Sequence, residues 1–326
     1  MAPLTCEACE RAPATVDEET DDPRSPMRVC AACHGRLTAC ALRPREWFNL
    51  ARRHGPQVAL LHDDMYDEDG VAQQPEVPVV DADAFPAPTL ADAVSAEALL
   101  DVALTRHFIR DDVAARWRGL EPAEAVDVLE ARWAGSTCRE IRERVLELAA
   151  LTGAPCAGFV RRAWQSWPVD VPWHALVEAS AGCLPIDEGF PLAEAALAGL
   201  GERDRRGAFG ALGCFRTARA LRWIEAHYSE PFTDQWGYLA AKSAFDWPTA
   251  KAWLAGGRPL SLVAIDALVT IAFPRSLVQE RLAMTLAASP GEHELRASLE
   301  AAMAADPVPR VRQRIEGLLG QLAALA

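Results

Sequence analysis

LRASLEAAMAADPVPRVRQRIEGLLGQL, residues 295–322, is the stretch that decides the fold. Apolar side chains recur at helical spacing from Leu295 onward. Asp306-Pro307 then breaks the pattern, because proline cannot continue a helix. Val308-Pro309-Arg310-Val311-Arg312 restarts it, and Ile315, Leu318, Leu319 and Leu322 line one face of a second helix. The stretch reads as two helices joined by a tight Asp-Pro turn.

Working back toward the N-terminus, helical patterning extends to about residue 90. Thr137-Cys138-Arg139-Glu140 reads as a capping box opening a helix that carries Ile141, Val145, Leu146 and Leu148. Gly153-Ala154-Pro155 ends that helix. Further helices are expected near 156–165, 173–180, 191–199, 203–213, 216–227, 233–245, 247–255, 259–272, 276–288, 292–305 and 308–325. Thr217-Ala218-Arg219-Ala220 recurs as Thr249-Ala250-Lys251-Ala252, 32 residues later. Short helices in tandem with weak internal similarity suggest a solenoid.

An Asp-Pro turn followed by Val-Arg on the second helix resembles the HEAT repeat. The likeness is good over residues 295–322 and loose over 190–290. It implies a mainly α protein, a HEAT-like α-solenoid over 92–326, and a protein-binding concave face. A few helical-repeat proteins of this kind excise alkylated bases with an exposed aromatic pair near a carboxylate. Trp164, Trp167 and Trp173 around Asp170 are the candidates for that arrangement. The competing reading is that the ten tryptophans fill gaps between alanine-rich helices, since 62 residues are alanine.

The N-terminus carries a different signal. Cys6-x-x-Cys9 and Cys30-x-x-Cys33 form two pairs with 20 residues between them. Two thiolates separated by two residues can reach one ion at about 2.3 Å, and two such knuckles complete a tetrahedron. Cys6, Cys9, Cys30 and Cys33 are therefore the expected ligands of a structural Zn²⁺. Four sulfurs leave no open position for water, which excludes a catalytic metal. Arg28-Val29 reads as a short strand entering the second knuckle, and Cys30-Ala31-Ala32-Cys33 as a helix start. This resembles the final pair of GATA-type treble-clef fingers over about 35 residues. His34 and Cys40 are substitute ligands on spacing alone.

These patterns divide the chain into a zinc module with its following helix (1–60), an acidic proline-containing linker (61–91) and the helical array (92–326). Residues 62–91 hold eight acidic groups, prolines 75, 78, 86 and 88, and no lysine or arginine. Asp67, Asp69, Gly70 and Glu76 match four positions of a calcium loop, but Met65 stands where its first ligand belongs, so a solvated acidic turn is expected.

Net charge is −13. Phosphate binding needs clustered Lys and Arg, so a dominant nucleic-acid role is disfavoured. One local feature opposes this. Arg36, Arg43, Arg45, Arg52 and Arg53 face a single acid, Glu46, within 34–54. Arg205, Arg206, Arg216, Arg219 and Arg222 form a second cluster. Cys138, Cys156, Cys183 and Cys214 are isolated and read as free thiols. No nucleophile or phosphate-loop motif occurs, so an enzyme is not expected. The apolar stretch 261–273 is interrupted by Asp266, which argues against a membrane span. The first 13 residues lack a signal-peptide pattern, and the expected compartment is the cytoplasm. The function expected is a non-catalytic protein-binding scaffold or inhibitor. An acidic chain would suit a basic protein partner. The alternative is a nucleic-acid-associated protein working through residues 36–53.

Overall fold

The structure, a computed structural model, describes residues 4–20, 25–39, 41–56, 87–106, 108–167, 171–200, 208–228, 233–272, 292–306 and 308–324. The described chain is mainly helical, with one two-stranded sheet. It clusters into two compact units, Met1–Leu184 and Pro185–Ala326. The sequence boundaries at 60/61 and 91/92 both fall inside the first unit.

The first unit opens with β1 (Val16–Glu18) and β2 (Met27–Val29), paired antiparallel with Val16 opposite Val29. Met27 and Val29 are buried and Arg28 between them is not, as a period of two requires. Then come α1 (Ala31–Thr38) and α2 (Pro44–His54). Pro44 begins α2, where its missing N–H costs nothing. The Glu46 carboxylate accepts from the Arg43 backbone N–H at 3.1 Å and closes the first turn. Trp47, Phe48, Leu50 and Ala51 are buried. Gly55 ends the helix at φ 94°, and a Cβ there would strike the Glu140 carboxylate.

Six further helices complete the unit: α3 (Ala96–Leu104), α4 (Asp111–Arg118), α5 (Pro122–Ala134), α6 (Arg139–Thr152), α7 (Ala157–Gln165) and α8 (Trp173–Cys183). The central one is α6. Its buried Ile141, Val145, Leu146, Leu148 and Ala149 pack towards α4, α5 and α8. Trp117 of α4, almost fully buried, donates its indole N–H to the Leu148 carbonyl at 3.1 Å and to Thr152 Oγ1 at 2.9 Å. The capping box expected at Thr137 does not form. The helix starts at Arg139 with Cys138 as N-cap, and Ser136 Oγ accepts from the Cys138 N–H at 3.2 Å.

The second unit contains α9 (Ile186–Gly199), a 3₁₀ turn (Phe209–Phe215), α10 (Ala218–His227), α11 (Thr233–Lys242), α12 (Trp247–Gly256), α13 (Leu260–Ala272), α14 (Glu292–Ala305) and α15 (Pro309–Ala324). At its centre α13 packs on α11, α12 and α15. Gly237 of α11 makes the close crossing possible, because a Cβ there would lie 2.3 Å from the Asp266 Cβ. Asp266, the charge that interrupts the apolar run, is buried and paired with Arg314 at 2.9 Å. At the Asp-Pro turn, Asp306 Oδ1 accepts from the Val308 N–H at 2.8 Å and from Arg258 Nη2 at 2.7 Å.

The tetrapeptide recurrence does not mark equivalent positions. Thr217 is the N-cap of α10, its Oγ1 accepting from the Arg219 N–H. Thr249 lies inside the first turn of α12, where Asp246 is the cap. Of the helix expected over 203–213, Ala208 is helical and Phe209–Phe215 form a 3₁₀ turn, the rest lying outside the described residues. The helix expected at 276–288, the calcium-like loop at 65–76 and Cys40 lie outside the described residues. No described helix is long and apolar enough to cross a membrane. Seven of the ten tryptophans (47, 117, 173, 223, 236, 247 and 253) are buried.

Candidate metal centre

The ligand atoms of Cys6, Cys9, Cys30 and Cys33 lie within 4.8 Å of one another, and all four residues are buried. A tetrahedron with 2.3 Å bonds separates its sulfurs by about 3.8 Å, so modest closure suffices to wrap one ion. Local backbone geometry builds each half. In the first knuckle the Cys6 N–H donates to the Ala12 carbonyl at 2.7 Å, and the Glu10 N–H returns to the Cys6 carbonyl at 2.9 Å. Glu10 sits at φ 54°, the left-handed conformation that turns the chain after Cys9. In the second knuckle Cys30 is the N-cap of α1, and the His34 N–H donates to its carbonyl. The Glu7 N–H bonds the Arg28 carbonyl at 2.8 Å, which brings the two knuckles together.

Helix α2 holds this assembly from behind. Buried Asn49 donates Nδ2 to the Ala8 carbonyl at 2.8 Å, between the first two cysteines. The Glu7 carboxylate accepts from the Arg28 N–H at 3.0 Å and meets His54 Nε2 at 2.9 Å. Burial opposes its ionisation, but these partners hold the carboxyl below its ordinary value. Glu46 is fully buried and accepts from both Arg36 and Arg43. Burial works against it as well, and the two guanidinium hydrogen bonds prevail, lowering its pKa to about 2. Arg36 Nη2 also donates to the Cys33 sulfur at 3.2 Å. Burial raises the metal-free Cys33 thiol well above its ordinary value, and the neighbouring Cys30, Glu46 and Cys6 add to the rise. Metal binding must therefore expel that proton. Four sulfur donors in a closed, buried shell can hold a metal ion, and the set suits zinc or iron rather than magnesium or calcium.

Of the substitute ligands, His34 turns to Glu18 Oε2 at 2.9 Å and is not among the clustered sulfurs. Cys138 donates to the His54 carbonyl, and Cys183 to the Ala149 carbonyl. Burial pushes the Cys183 thiol up to about 12, the direction opposite to that of an activated thiolate. Trp164 donates to Ser180 Oγ at 2.8 Å, while Asp170 lies outside the described residues.

The arginines of 36–53 are mostly committed internally. Arg36 and Arg43 hold Glu46, Arg52 bridges Glu10 and Asp101, and Arg53 binds Glu10. Among the described residues only Arg45 of the five has no carboxylate partner, and it lies over the Phe48 ring. The Asp101–Arg132 pair, at 2.6 Å, extends this network into α5. Sequence reading missed Glu46, Asn49 and Asp101. Glu46 left a trace as the lone acid in an arginine-rich segment, whereas Asn49 and Asp101 gain their partners only through the fold.

No family model, curated protein or solved structure matches this chain.

Proposed function

We propose that the chain is a non-catalytic protein-binding scaffold or inhibitor, with a structural Zn²⁺ on Cys6, Cys9, Cys30 and Cys33 and a HEAT-like helical array as its binding surface. The single observation that carries this reading is the internal pairing of the arginines at 36–53. The alternative, nucleic-acid contact through that segment, needs free guanidinium groups facing phosphate. Here Glu10, Glu46 and Asp101 already occupy four of the five. A net charge of −13 further disfavours phosphate and favours a basic protein partner. A closed four-sulfur shell supports a structural role for the ion.

Three measurements test the reading. Elemental analysis after chelator-free purification should find one zinc per chain, and less than about 0.2 would remove the metal reading. Random duplex DNA should form no complex at 150 mM salt, because a few phosphate contacts are lost steeply with ionic strength. Tight binding there, abolished by replacing Arg45, Arg52 and Arg53 with alanine, would put the nucleic-acid alternative first. A tagged pull-down read by mass spectrometry should return a basic protein whose capture fades with salt.

A further inference from the structure

Beyond the four sulfurs, two charged side chains, Arg36 and Glu46, reach the Cys33 sulfur. The Arg36 guanidinium reaches the Cys33 sulfur with Nη2 at 3.2 Å and Glu46 with Nε at 2.8 Å. Glu46 is fully buried and is gripped from its other side by Arg43 Nε at 3.0 Å. Cys33 Sγ lies 3.6 Å from Glu46 Oε1. Four thiolates around a divalent ion carry a net charge of about −2, and a bare carboxylate beside them would add to the repulsion. Two guanidinium groups around that one carboxylate turn the local balance positive. A guanidinium is planar and forked, so a carboxylate that fixes one edge also fixes where the other edge points.

Resting on the metal-site reading above, we infer that Arg36, set by Glu46 and Arg43, is a positioning residue. Its hydrogen bond makes Cys33 the sulfur slowest to leave the ion and slowest to be attacked. The guanidinium draws on the electron density of the thiolate, and both alkylation and the protonation by which a sulfur leaves the ion as a thiol need that density. No comparable charged donor to Cys6, Cys9 or Cys30 occurs among the described residues. Among the described residues the charged donor to the shell therefore comes from α1, backed by α2.

The test uses the full-length zinc-loaded chain. Zinc release to excess EDTA is followed by a zinc-sensitive dye, and alkylation by N-ethylmaleimide is mapped by mass spectrometry. In the wild type, Cys33 should be the last of the four to be alkylated. Arg36→Ala should still bind one zinc but release it on the order of tenfold faster, as loss of an outer-shell partner does. Cys33 should also move forward in the alkylation order. Arg36→Lys keeps the charge and loses the fork, and its release rate should fall between the two. Arg45→Ala removes one nearby charge with no contact to sulfur and should release zinc at the wild-type rate. Should Arg36→Ala not fold, the Lys variant decides. Wild-type release and alkylation order in the Arg36 variants would overturn the inference, as would equal acceleration by Arg45→Ala. Failure of the wild type to hold zinc would instead overturn the metal-site reading itself.

Discussion

The described residues of 4–39 bury little besides the four cysteines: Ala8, Met27 and Val29 complete their apolar set. The second unit is built the other way. There Trp236 stacks on both Phe209 and Trp223, its ring centroid 4.2 Å from that of Phe209, and α13 buries Val263, Ala264, Ile265, Ala267 and Leu268. A segment with so small an apolar interior needs a crosslink, and a metal on four thiolates provides one. A helix that is apolar nearly all round needs only neighbours close enough to bury it. With a metal bound, the first region would lean on coordination and ion pairs and the other leans on packing, so each should fail under a different insult.

The largest effect should come from the metal. Cys30→Ser, or stripping with a chelator, should cost the N-terminal module on the order of 10 kcal/mol. Sequence alone predicts that the helical array, with a separate core, survives intact. The pairing of Arg52 and Arg132 with Asp101 extends the expected damage into α3 and α5. Hydrogen exchange should therefore show lost protection in α1, α2 and α3, with α11 and α13 unchanged. Full protection of α3 in the stripped protein would show the module to be independent.

Asp101→Ala tests that link directly. It takes from Arg132 its carboxylate and leaves Arg52 with Glu10 alone, both guanidinium groups being about one-fifth exposed. The unfolding free energy of the first unit should fall by about 3 kcal/mol in urea titrations, with zinc content unchanged. A loss under about 0.5 kcal/mol would mean that the ion pairs only decorate the contact.

Packing in the second unit is probed by two glycines with opposite expected signs. Gly237→Ala should destabilise by about 2 kcal/mol, since the new methyl would meet Asp266 and Ala267 and α11 would be pushed from α13. Gly317→Ala, with nothing within 4 Å of the new Cβ, should stabilise α15 by about 0.5–1 kcal/mol. Thermal melts giving both variants the same sign would refute the close-crossing argument.

The remaining effect is a pH response of the first unit. Burial pushes the Glu147 carboxyl from its ordinary 4.5 up to about 7 despite Arg144, and Glu143 and Glu178 add to the rise. A carboxyl with a raised folded pKa contributes its full stability below 4.5 and loses it as pH climbs through 7. The first unit should weaken by about 1–2 kcal/mol between pH 5 and 8, and Glu147→Gln should flatten that slope. An unchanged slope in the variant would assign it to another group. Glu46 has the opposite sign: its contribution is present at neutral pH and disappears only as pH falls toward 2.

Much of this architecture was written locally. The spacing Cys6-x-x-Cys9 and Cys30-x-x-Cys33 sufficed to name the cluster, because each knuckle is made by backbone bonds spanning a few residues. Helical periodicity marked most of the helices for the same reason, since an apolar stripe is a property of neighbours along the chain. Periodicity could not place Thr137 or align Thr217 with Thr249, because caps depend on which turn the backbone enters first. Nor could it reveal that the arginines at 36–53 would be consumed by Glu10, Glu46 and Asp101. Those carboxylates lie up to 49 residues away in the chain. In sequence, five arginines against one acid read as a basic face, whereas in the folded chain four of them are struts. Charge composition is additive along a chain, but charge availability is decided by which groups the fold brings within reach of one another.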